Sequence, residues 1–254
     1  MIELYENERL DEVNDKLRLI QKTDGLTFGT DALLLAGYIR GGYRLGCELG
    51  GGGGIISMLL LSREKLNKTD CVEVQAEYAE LIKRNAELNS LSDRLAAIHS
   101  DIRELPPRAE YDIVYTNPPY MKADSGYSNT KGKKNIARHE VLGTIDDFCR
   151  VSSKILKFGG TFAVVYRPDR LCDLISSMRA WHLEPKRMTF VHARADSEPS
   201  MVLIEARLGG GVGAMITKPL IIYSGENYSS DMNYIMENGS FPADYYTQAK
   251  PRVK

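Results

Sequence analysis

The sequence predicts an α/β protein built on a doubly wound, mostly parallel sheet of seven strands that closes with an antiparallel hairpin. Three observations lead to this prediction. Short apolar runs alternate with segments of helical periodicity through most of the chain. A run of five glycines joins the first strand of this alternation to its helix, and two strand-like runs near the end follow each other without a helix between them. Alternating strands and helices are typical of parallel sheets covered by helices.

The predicted elements follow in order along the chain. A buried helix is expected to begin with Thr30 as its N-cap and Asp31 in its first turn. The later helix that begins near Thr144 is expected to continue to Gly159-Gly160. The strands of the alternation are predicted at 45–49, 70–74, 95–98, 111–116 and 161–166, with the hairpin at 188–193 and 201–207. Helices are predicted at 55–63 and 76–89, and from Pro168 onward.

Composition sets limits on the function. The chain has 254 residues, 43% apolar and 26% charged, with a net charge of −1, so no overall basic field indicates nucleic acid. Its four cysteines are far apart and form no C-x-x-C pair, so we expect no metal site. Scattered free cysteines also indicate a protein of the reducing cytoplasm. No apolar run is long enough to span a membrane. We expect an N-terminal extension over 1–28, a catalytic domain over 29–208 and a C-terminal appendage over 209–254.

The glycine run favours a particular ligand. Consecutive glycines cost backbone entropy, so a close approach between backbone and ligand is the expected reason for them. The dinucleotide fingerprint G-x-G-x-x-G fits no frame, and the phosphate loop is absent. The pattern that fits is acid-x-G-x-G-x-G, formed by Glu48, Gly50, Gly52 and Gly54. An acid before the glycines suits a ligand that carries a positive amine and a sulfonium, which is S-adenosylmethionine.

Two further acids end the next two strands. Glu73 lies about twenty residues beyond the glycines, where an acid can accept both hydroxyls of a ribose. Asp101 ends the third strand and could accept a hydrogen bond from the adenine amino group of the cofactor. The alternatives are a solvated strand-end charge for Glu73 and an N-cap or turn residue for Asp101.

The stretch Asn117-Pro118-Pro119-Tyr120 ends the fourth strand. Two prolines cannot continue a ladder of hydrogen bonds, so the chain leaves the sheet here. The Asn117 amide and the Pro118 carbonyl can accept both hydrogens of an exocyclic NH₂, and Tyr120, after Pro119, can stack on the base that carries it. An ordinary strand-ending turn is the alternative interpretation.

Together these residues resemble class I S-adenosylmethionine-dependent methyltransferases over roughly residues 25–207. The resemblance is closest to the bacterial valine-tRNA adenine-N6 methyltransferases, through residues 28–34, the Asn-Pro-Pro-Tyr stretch and residues 137–140. It implies a Rossmann-like methyltransferase fold and methyl transfer to an exocyclic amino nitrogen, adenine N6 of a tRNA. The implied cofactor residues are Thr30, Asp31, Glu48, Gly50, Gly52, Gly54, Glu73, Asp101 and Asn117. The implied catalytic residues are Asn117, Pro118 and Tyr120.

RNA is the expected partner, with tRNA as its expected class. Besides Pro119 and Tyr120, the expected substrate contacts are the basic residues of the loop after the motif, Lys131, Lys133, Lys134 and Arg138. Such a loop could hold phosphates, and a solvated charged loop is the alternative.

Three other functions compete with this hypothesis. A protein glutamine N5-methyltransferase uses the same four residues, but such enzymes usually carry a helical domain before the glycines, and fewer than fifty residues precede Glu48 here. A DNA adenine methyltransferase would carry an inserted target-recognition domain, which we do not find. A noncatalytic RNA-binding module would have no use for oxygens directed at an amine.

Overall fold

The computed structural model describes residues 4–25, 28–118 and 143–247. The strands within these ranges are β1 (Glu8–Asn14), β2 (Leu17–Lys22), β3 (Tyr43–Leu49), β4 (Leu66–Glu73), β5 (Leu95–His99), β6 (Tyr111–Thr116), β7 (Leu156–Tyr166), β8 (Leu183–His192), β9 (Pro199–Leu208), β10 (Met215–Ile216), β11 (Leu220–Ile221), β12 (Tyr223–Ser224) and β13 (Asn227–Tyr228). The α-helices are α1 (Thr30–Tyr38), α2 (Ile55–Ser62), α3 (Ala76–Leu88), α4 (Ile145–Ile155), α5 (Leu171–Ala180) and α6 (Ser230–Asn238).

A single sheet of nine strands forms the centre of the protein. Its order is β10-β8-β9-β7-β6-β3-β4-β5, and β11 pairs with β8 beside β10. The five strands from β3 to β7 are parallel, and β9 runs antiparallel to both β7 and β8. The predicted fold class is therefore confirmed. The seven predicted strands are β3 to β9, and two strands of two residues each raise the number to nine.

Helices cover both faces of this sheet. They are needed because the apolar side chains of the strands point alternately to the two faces. On β6, Ile113 and Tyr115 point to the face covered by α1, α2 and α3. Val114, between them, points to the opposite face, where α4 and α5 pack. The two hydrophobic clusters fix the strands in register, because a slip by one residue would move every side chain to the wrong face.

The N-terminal hairpin of β1 and β2 forms a separate two-stranded sheet. Its side chains Leu17, Leu19 and Ile20 are buried. Ile20 packs against Tyr78 and Leu81 of α3. The hairpin therefore lies on the helix that follows the second strand of the central sheet.

Two predicted helix boundaries were wrong. Gly29, not Thr30, is the N-cap of α1, and no side chain caps that end, so Thr30 is the first helical residue. Helix α4 ends at Ile155 instead of continuing to the glycine pair, because β7 begins directly at Leu156. Gly159 lies within this strand at φ +75°, a conformation that favours glycine and allows an irregular start to the pairing with β6.

The C-terminal segment packs into the core. Strands β10 and β11 extend the sheet alongside β8, and α6 adds buried Met232 and Ile235. The ring of Phe241 contacts Tyr38 and Tyr245 edge to face, with ring centroids 5.3 and 5.1 Å apart. The proposed division at residues 28 and 208 remains a prediction.

Within the described ranges, no helix combines the length and the apolar character that crossing a bilayer requires. All four cysteines are free thiols, and only Cys172 among them is exposed.

Candidate active site at the carboxyl edge of the sheet

The predicted site residues gather at one edge of the central sheet. Strands β3, β4, β5 and β6 are neighbours and run parallel, so their carboxyl ends lie side by side. The glycine turn follows β3, Glu73 ends β4, Asp101 comes shortly after β5, and Asn117 comes directly after β6. In open α/β sheets this edge is where ligands bind.

The glycine turn needs glycine for two different reasons. Gly50, Gly52 and Gly54 have φ values of +73°, +53° and +80°, which side chains disfavour. Gly51 has an ordinary φ, but a Cβ atom there would lie 2.1 Å from the Cys71 sulfur. Beside Gly52 the space is open, since a Cβ atom at that position would meet nothing within 4 Å. The backbone at Gly52 can therefore approach a ligand closely.

Glu73 holds the turn in place from the end of β4. Its carboxylate accepts a hydrogen bond from the Gly52 amide at 2.9 Å through Oε2. Oε1 accepts one from the Gln75 amide, also at 2.9 Å. The side chain is 4% exposed, so its orientation is fixed at the rim of the turn. A carboxylate has further lone pairs, so these contacts are compatible with the predicted ribose contact.

Glu48 is buried beneath the turn. Its Oε2 accepts hydrogen bonds from the Ser57 amide at 3.0 Å and the Ser57 hydroxyl at 2.5 Å. The Cys71 thiol also points at this oxygen, at 3.6 Å. Burial raises the pKa of the Glu48 carboxyl to about 7, although the hydrogen bonds from Ser57 and Cys71 act in the opposite direction and lower it. Direct contact between Glu48 and the cofactor stays a prediction.

Sequence reasoning missed a polar chain that continues from Glu48. The Tyr115 hydroxyl lies 2.8 Å from the Ser57 hydroxyl and 2.8 Å from that of Thr69. Next to it, the Thr116 hydroxyl donates to the Leu49 carbonyl at 2.7 Å and joins the ends of β6 and β3. These residues could have been noticed as polar side chains within otherwise apolar elements.

Asp101 is held by a residue of its own turn. The Arg103 amide donates to Oδ1 at 2.8 Å, and the Arg103 guanidinium contacts both carboxylate oxygens, the shortest contact being 2.5 Å. The guanidinium holds the pKa of the Asp101 carboxyl below its ordinary value. Asp101 also caps a short 3₁₀ helix, which is the alternative role foreseen from the sequence. Its contact with adenine stays a prediction.

Asn117 and Asp31 meet across the site. The Asn117 Nδ2 atom donates to Asp31 Oδ2 at 2.8 Å, and Asp31 Oδ1 accepts from the Ala32 amide at 2.9 Å. Because a carboxylate oxygen accepts hydrogen bonds, this contact places the amide nitrogen of Asn117 toward Asp31. The Asn117 oxygen therefore points away from Asp31. Pro118 is buried directly after it, and Thr30 is exposed at the start of α1.

Six of the predicted residues lie outside the described ranges, and their roles stay predictions. They are Pro119, Tyr120, Lys131, Lys133, Lys134 and Arg138.

The acidic side chains at this edge fit the predicted cofactor. Glu73 contacts the open glycine turn and Glu48 lies buried beneath it, while Asp101 follows β5 and Asp31 bonds to Asn117 after β6. Acids repel a pyrophosphate but attract a ligand that carries an ammonium and a sulfonium. In the described part of the chain, no group of three or more histidine, cysteine or acidic side chains is arranged to hold a metal ion.

Residues 24–175 match the family model of the methyltransferase small domain. The chain belongs to this methyltransferase family. The match contains the glycine turn, Glu73, Asp101 and Asn117, so the site described above lies within the family domain. The prediction of an S-adenosylmethionine-dependent methyltransferase is thereby confirmed for the enzyme class.

Curated relatives have a common name. The chain is 25% identical over 191 residues to the tRNA1(Val) (adenine(37)-N6)-methyltransferase of Dyadobacter fermentans, covering 74% of this chain and 78% of the relative. It is 27% identical over 214 residues to the protein of that name from Porphyromonas gingivalis, covering 80% and 83% of the two chains.

Solved structures share the fold of this methyltransferase. A predicted O-methyltransferase of Agrobacterium tumefaciens superimposes with a TM-score of 0.69 at 21% identity, covering 84% of this chain and 98% of its own. TYW2 of M. jannaschii, solved in complex with AdoMet, gives a TM-score of 0.56 at 12% identity, covering 82% and 88%. At these identities the likeness concerns the fold alone.

Proposed function

We propose that this methyltransferase transfers a methyl group from S-adenosylmethionine to an exocyclic amino nitrogen, adenine N6 of a tRNA. The observation that carries the proposal is the oriented amide of Asn117 at the carboxyl end of β6. Asn117 directly follows the strand beside the one that leads into the glycine turn, and Asp31 sets the direction of its oxygen. A binding protein without catalysis would gain nothing from this arrangement.

The methyl donor is held by residues of the carboxyl edge. Bound S-adenosylmethionine supplies a methyl group made electrophilic by its sulfonium. Glu73 accepts the ribose hydroxyls while it keeps the Gly52 amide in place. Asp101 accepts from the adenine amino group, and the turn at Gly50, Gly52 and Gly54 lets the backbone come close. Thr30, Asp31, Glu48 and Asn117 complete the proposed cofactor contacts.

The acceptor amine is positioned by Asn117 and Pro118. An exocyclic amine is a weak nucleophile, because its lone pair is delocalised into the ring. The Asn117 Oδ1 atom and the Pro118 carbonyl accept the two N–H hydrogens and stabilise the positive charge that develops on nitrogen. Holding both reactants in line supplies much of the acceleration. Once methylated, the nitrogen readily loses its proton to solvent, so no strong base is required.

The choice of tRNA rests on support of two kinds. The curated relatives carry the name of tRNA adenine-N6 methyltransferases, at identities of 25% and 27%. Tyr120 follows the two prolines, where it can stack on an extruded base, and Lys131, Lys133, Lys134 and Arg138 of the loop after it can contact phosphates.

Replacement of Asn117 tests the proposal directly. Asn117→Ala should fold and still bind S-adenosylmethionine, since the glycine turn, Glu73 and Asp101 remain. Transfer to unmodified tRNA should fall by about 10²–10³-fold, the usual loss for one oriented partner of the transition state. Labelled methyl transfer followed by nucleoside analysis measures both the rate and the product, which should be N6-methyladenosine. Asn67→Ala, at an exposed position near the amino end of β4, is the matched control and should retain full activity.

Two results would contradict the proposal. Full activity of Asn117→Ala would remove the amide from the mechanism. Label in a guanine ring nitrogen, or in a protein glutamine instead of RNA, would replace the proposed substrate.

A further inference from the structure

Asn85 of α3 and Asn89, the C-cap residue of that helix, hold the outer backbone edge of β2. Asn85 accepts from the Ile20 amide at 2.7 Å and donates to the Ile20 carbonyl at 3.1 Å. One helical turn later, Asn89 accepts from the Arg18 amide at 3.0 Å and donates to the Arg18 carbonyl at 2.7 Å. The spacings match, since four helical residues rise about 6 Å and two strand residues about 7 Å. Each side-chain amide thus takes the place of a neighbouring strand.

Asn85 differs from Asn89 in one contact. Its Nδ2 atom also donates to the carbonyl of Gly53 in the glycine turn, at 3.1 Å. The corresponding atom of Asn89 contacts the Asn85 carbonyl, within α3, and the Met58 sulfur. Asn85 is fully buried, at 0% exposure, so water does not compete for these hydrogen bonds.

The glycine turn is therefore held from two sides. Glu73 fixes the Gly52 amide on the side of the proposed ligand, and Asn85 fixes the Gly53 carbonyl on the side of the N-terminal hairpin. A free segment of five glycines has a large backbone entropy. If the ligand has to order this segment when it binds, the lost entropy weakens the binding. Contacts that order the turn beforehand reduce this cost.

We propose that Asn85 is a positioning residue for the methyl donor. It ties the glycine turn to β2 and so fixes the peptide between Gly53 and Gly54 before the ligand binds. This role rests on the proposed function, because it takes the glycine turn as the site of S-adenosylmethionine. It also gives the N-terminal hairpin a part in cofactor binding, although the hairpin forms a sheet of its own and is not part of the central sheet that carries the proposed ligand contacts.

The paired asparagines provide a matched experiment. Calorimetric titration with S-adenosylmethionine should show binding about 3- to 10-fold weaker in Asn85→Ala than in wild type, the effect of one lost net hydrogen bond. Asn89→Ala loses the same pair of contacts with β2 but none with the turn, so its affinity should stay within about two-fold. Thermal unfolding curves of both variants identify a temperature at which both are folded, and the titration is done at that temperature.

A measurement on the wild-type protein does not depend on how the variants fold. The Ile20 amide is bonded to Asn85, and the Arg18 amide is bonded to Asn89 in the same way. Addition of S-adenosylmethionine should slow hydrogen exchange at Ile20 at least about three-fold more than at Arg18, since binding stabilises only the side chain linked to the turn.

The outcomes separate the two proposals. Equal affinity losses in the two alanine variants, or equal protection at Ile20 and Arg18, would overturn the positioning role while leaving the cofactor in place. Failure of the wild-type protein to bind S-adenosylmethionine would overturn the proposed function, and with it this role of Asn85.

Discussion

The buried carboxyl of Glu48 gives the site a measurable pH dependence. Its pKa is raised to about 7 by burial, whereas the unfolded chain exposes an ordinary glutamate with a pKa of 4.5. Between these values the folded protein keeps a proton that the unfolded chain has released. The stabilisation from this group is complete below pH 4.5 and is lost as the pH rises through about 7.

Replacement of Glu48 by glutamine should remove this dependence. Glu48→Gln keeps an oxygen for the Ser57 amide and hydroxyl but cannot ionise. Urea unfolding should show the variant gaining stability over wild type as the pH rises from 4.5 to 8, by at most about 3 kcal/mol. A difference that stays constant over this range would mean that Glu48 titrates normally in the folded protein.

At the scale of residues, the sequence predicted positions better than contacts. Glu73 and Asn117 were expected at strand ends because apolar runs stop there, and both lie at those ends. Their partners, the Gly52 amide and Asp31, are 21 and 86 residues away along the chain. The hydrophobic periodicity of a sequence does not predict contacts between residues so far apart. Asn85 was missed for the same reason, since a lone asparagine in a helix has no motif.

The C-terminal end of α1 is stabilised by two cations that come from other parts of the chain. The Lys65 ammonium donates to the carbonyls of Ala36, Gly37 and Ile39 at 2.8, 3.0 and 2.7 Å. Arg187 donates to the Tyr38 carbonyl between them at 2.7 Å. These carbonyls have no partner within the helix, and they carry the negative end of its dipole. Burial lowers the pKa of Lys65 to about 7, but only the charged form has three hydrogens for three acceptors.

Removing the Lys65 ammonium should therefore destabilise the protein. Lys65→Met keeps the apolar stem and leaves three carbonyls without their donor, at a cost of about 1–3 kcal/mol or more. Denaturant unfolding measures the loss. Lys68→Met, at an exposed position of β4, is the control and should change stability by less than about 0.5 kcal/mol. Equal effects in the two variants would show that the helix end does not depend on Lys65.

At the scale of elements, the hydrophobic pattern predicted the buried strands and the helices of the central sheet, but not every boundary and not a polar strand. Helix α4 begins where expected because Thr144 and Asp147 form a capping box. Its end was predicted too late because the strand after it begins without an intervening turn. Strand β1 was not predicted, since its residues are mostly polar and no face of it is fully buried. Such a strand forms because β2 pairs with it.

At the scale of the whole molecule, the C-terminal segment should be required for folding. Its buried side chains Leu220, Met232, Ile235, Phe241 and Tyr245 belong to the same cluster as α1 and α2. Five such side chains contribute about 7–15 kcal/mol, which is comparable to the total stability of a domain. A variant that ends at residue 213 should lose its cooperative transition in scanning calorimetry.

A shorter truncation is the control for this experiment. A variant that ends at residue 247 keeps all of these buried side chains and should unfold at the wild-type temperature. If the variant ending at 213 also unfolds cooperatively near that temperature, residues 1–213 suffice as a folding unit and the predicted boundary at residue 208 is supported.

The short strands beside β8 have a consequence for aggregation. A long exposed edge strand is a template on which a second chain can add a strand. Here that edge consists of β10 and β11, two residues each, and the chain between them contains Lys218 and Pro219. Proline has no N–H to offer, and an added strand would have to bury the charge of the exposed Lys218, which opposes pairing. The broad central sheet therefore ends on this side in a border that resists edge-to-edge growth, which favours recovery of the protein from concentrated or refolding solutions.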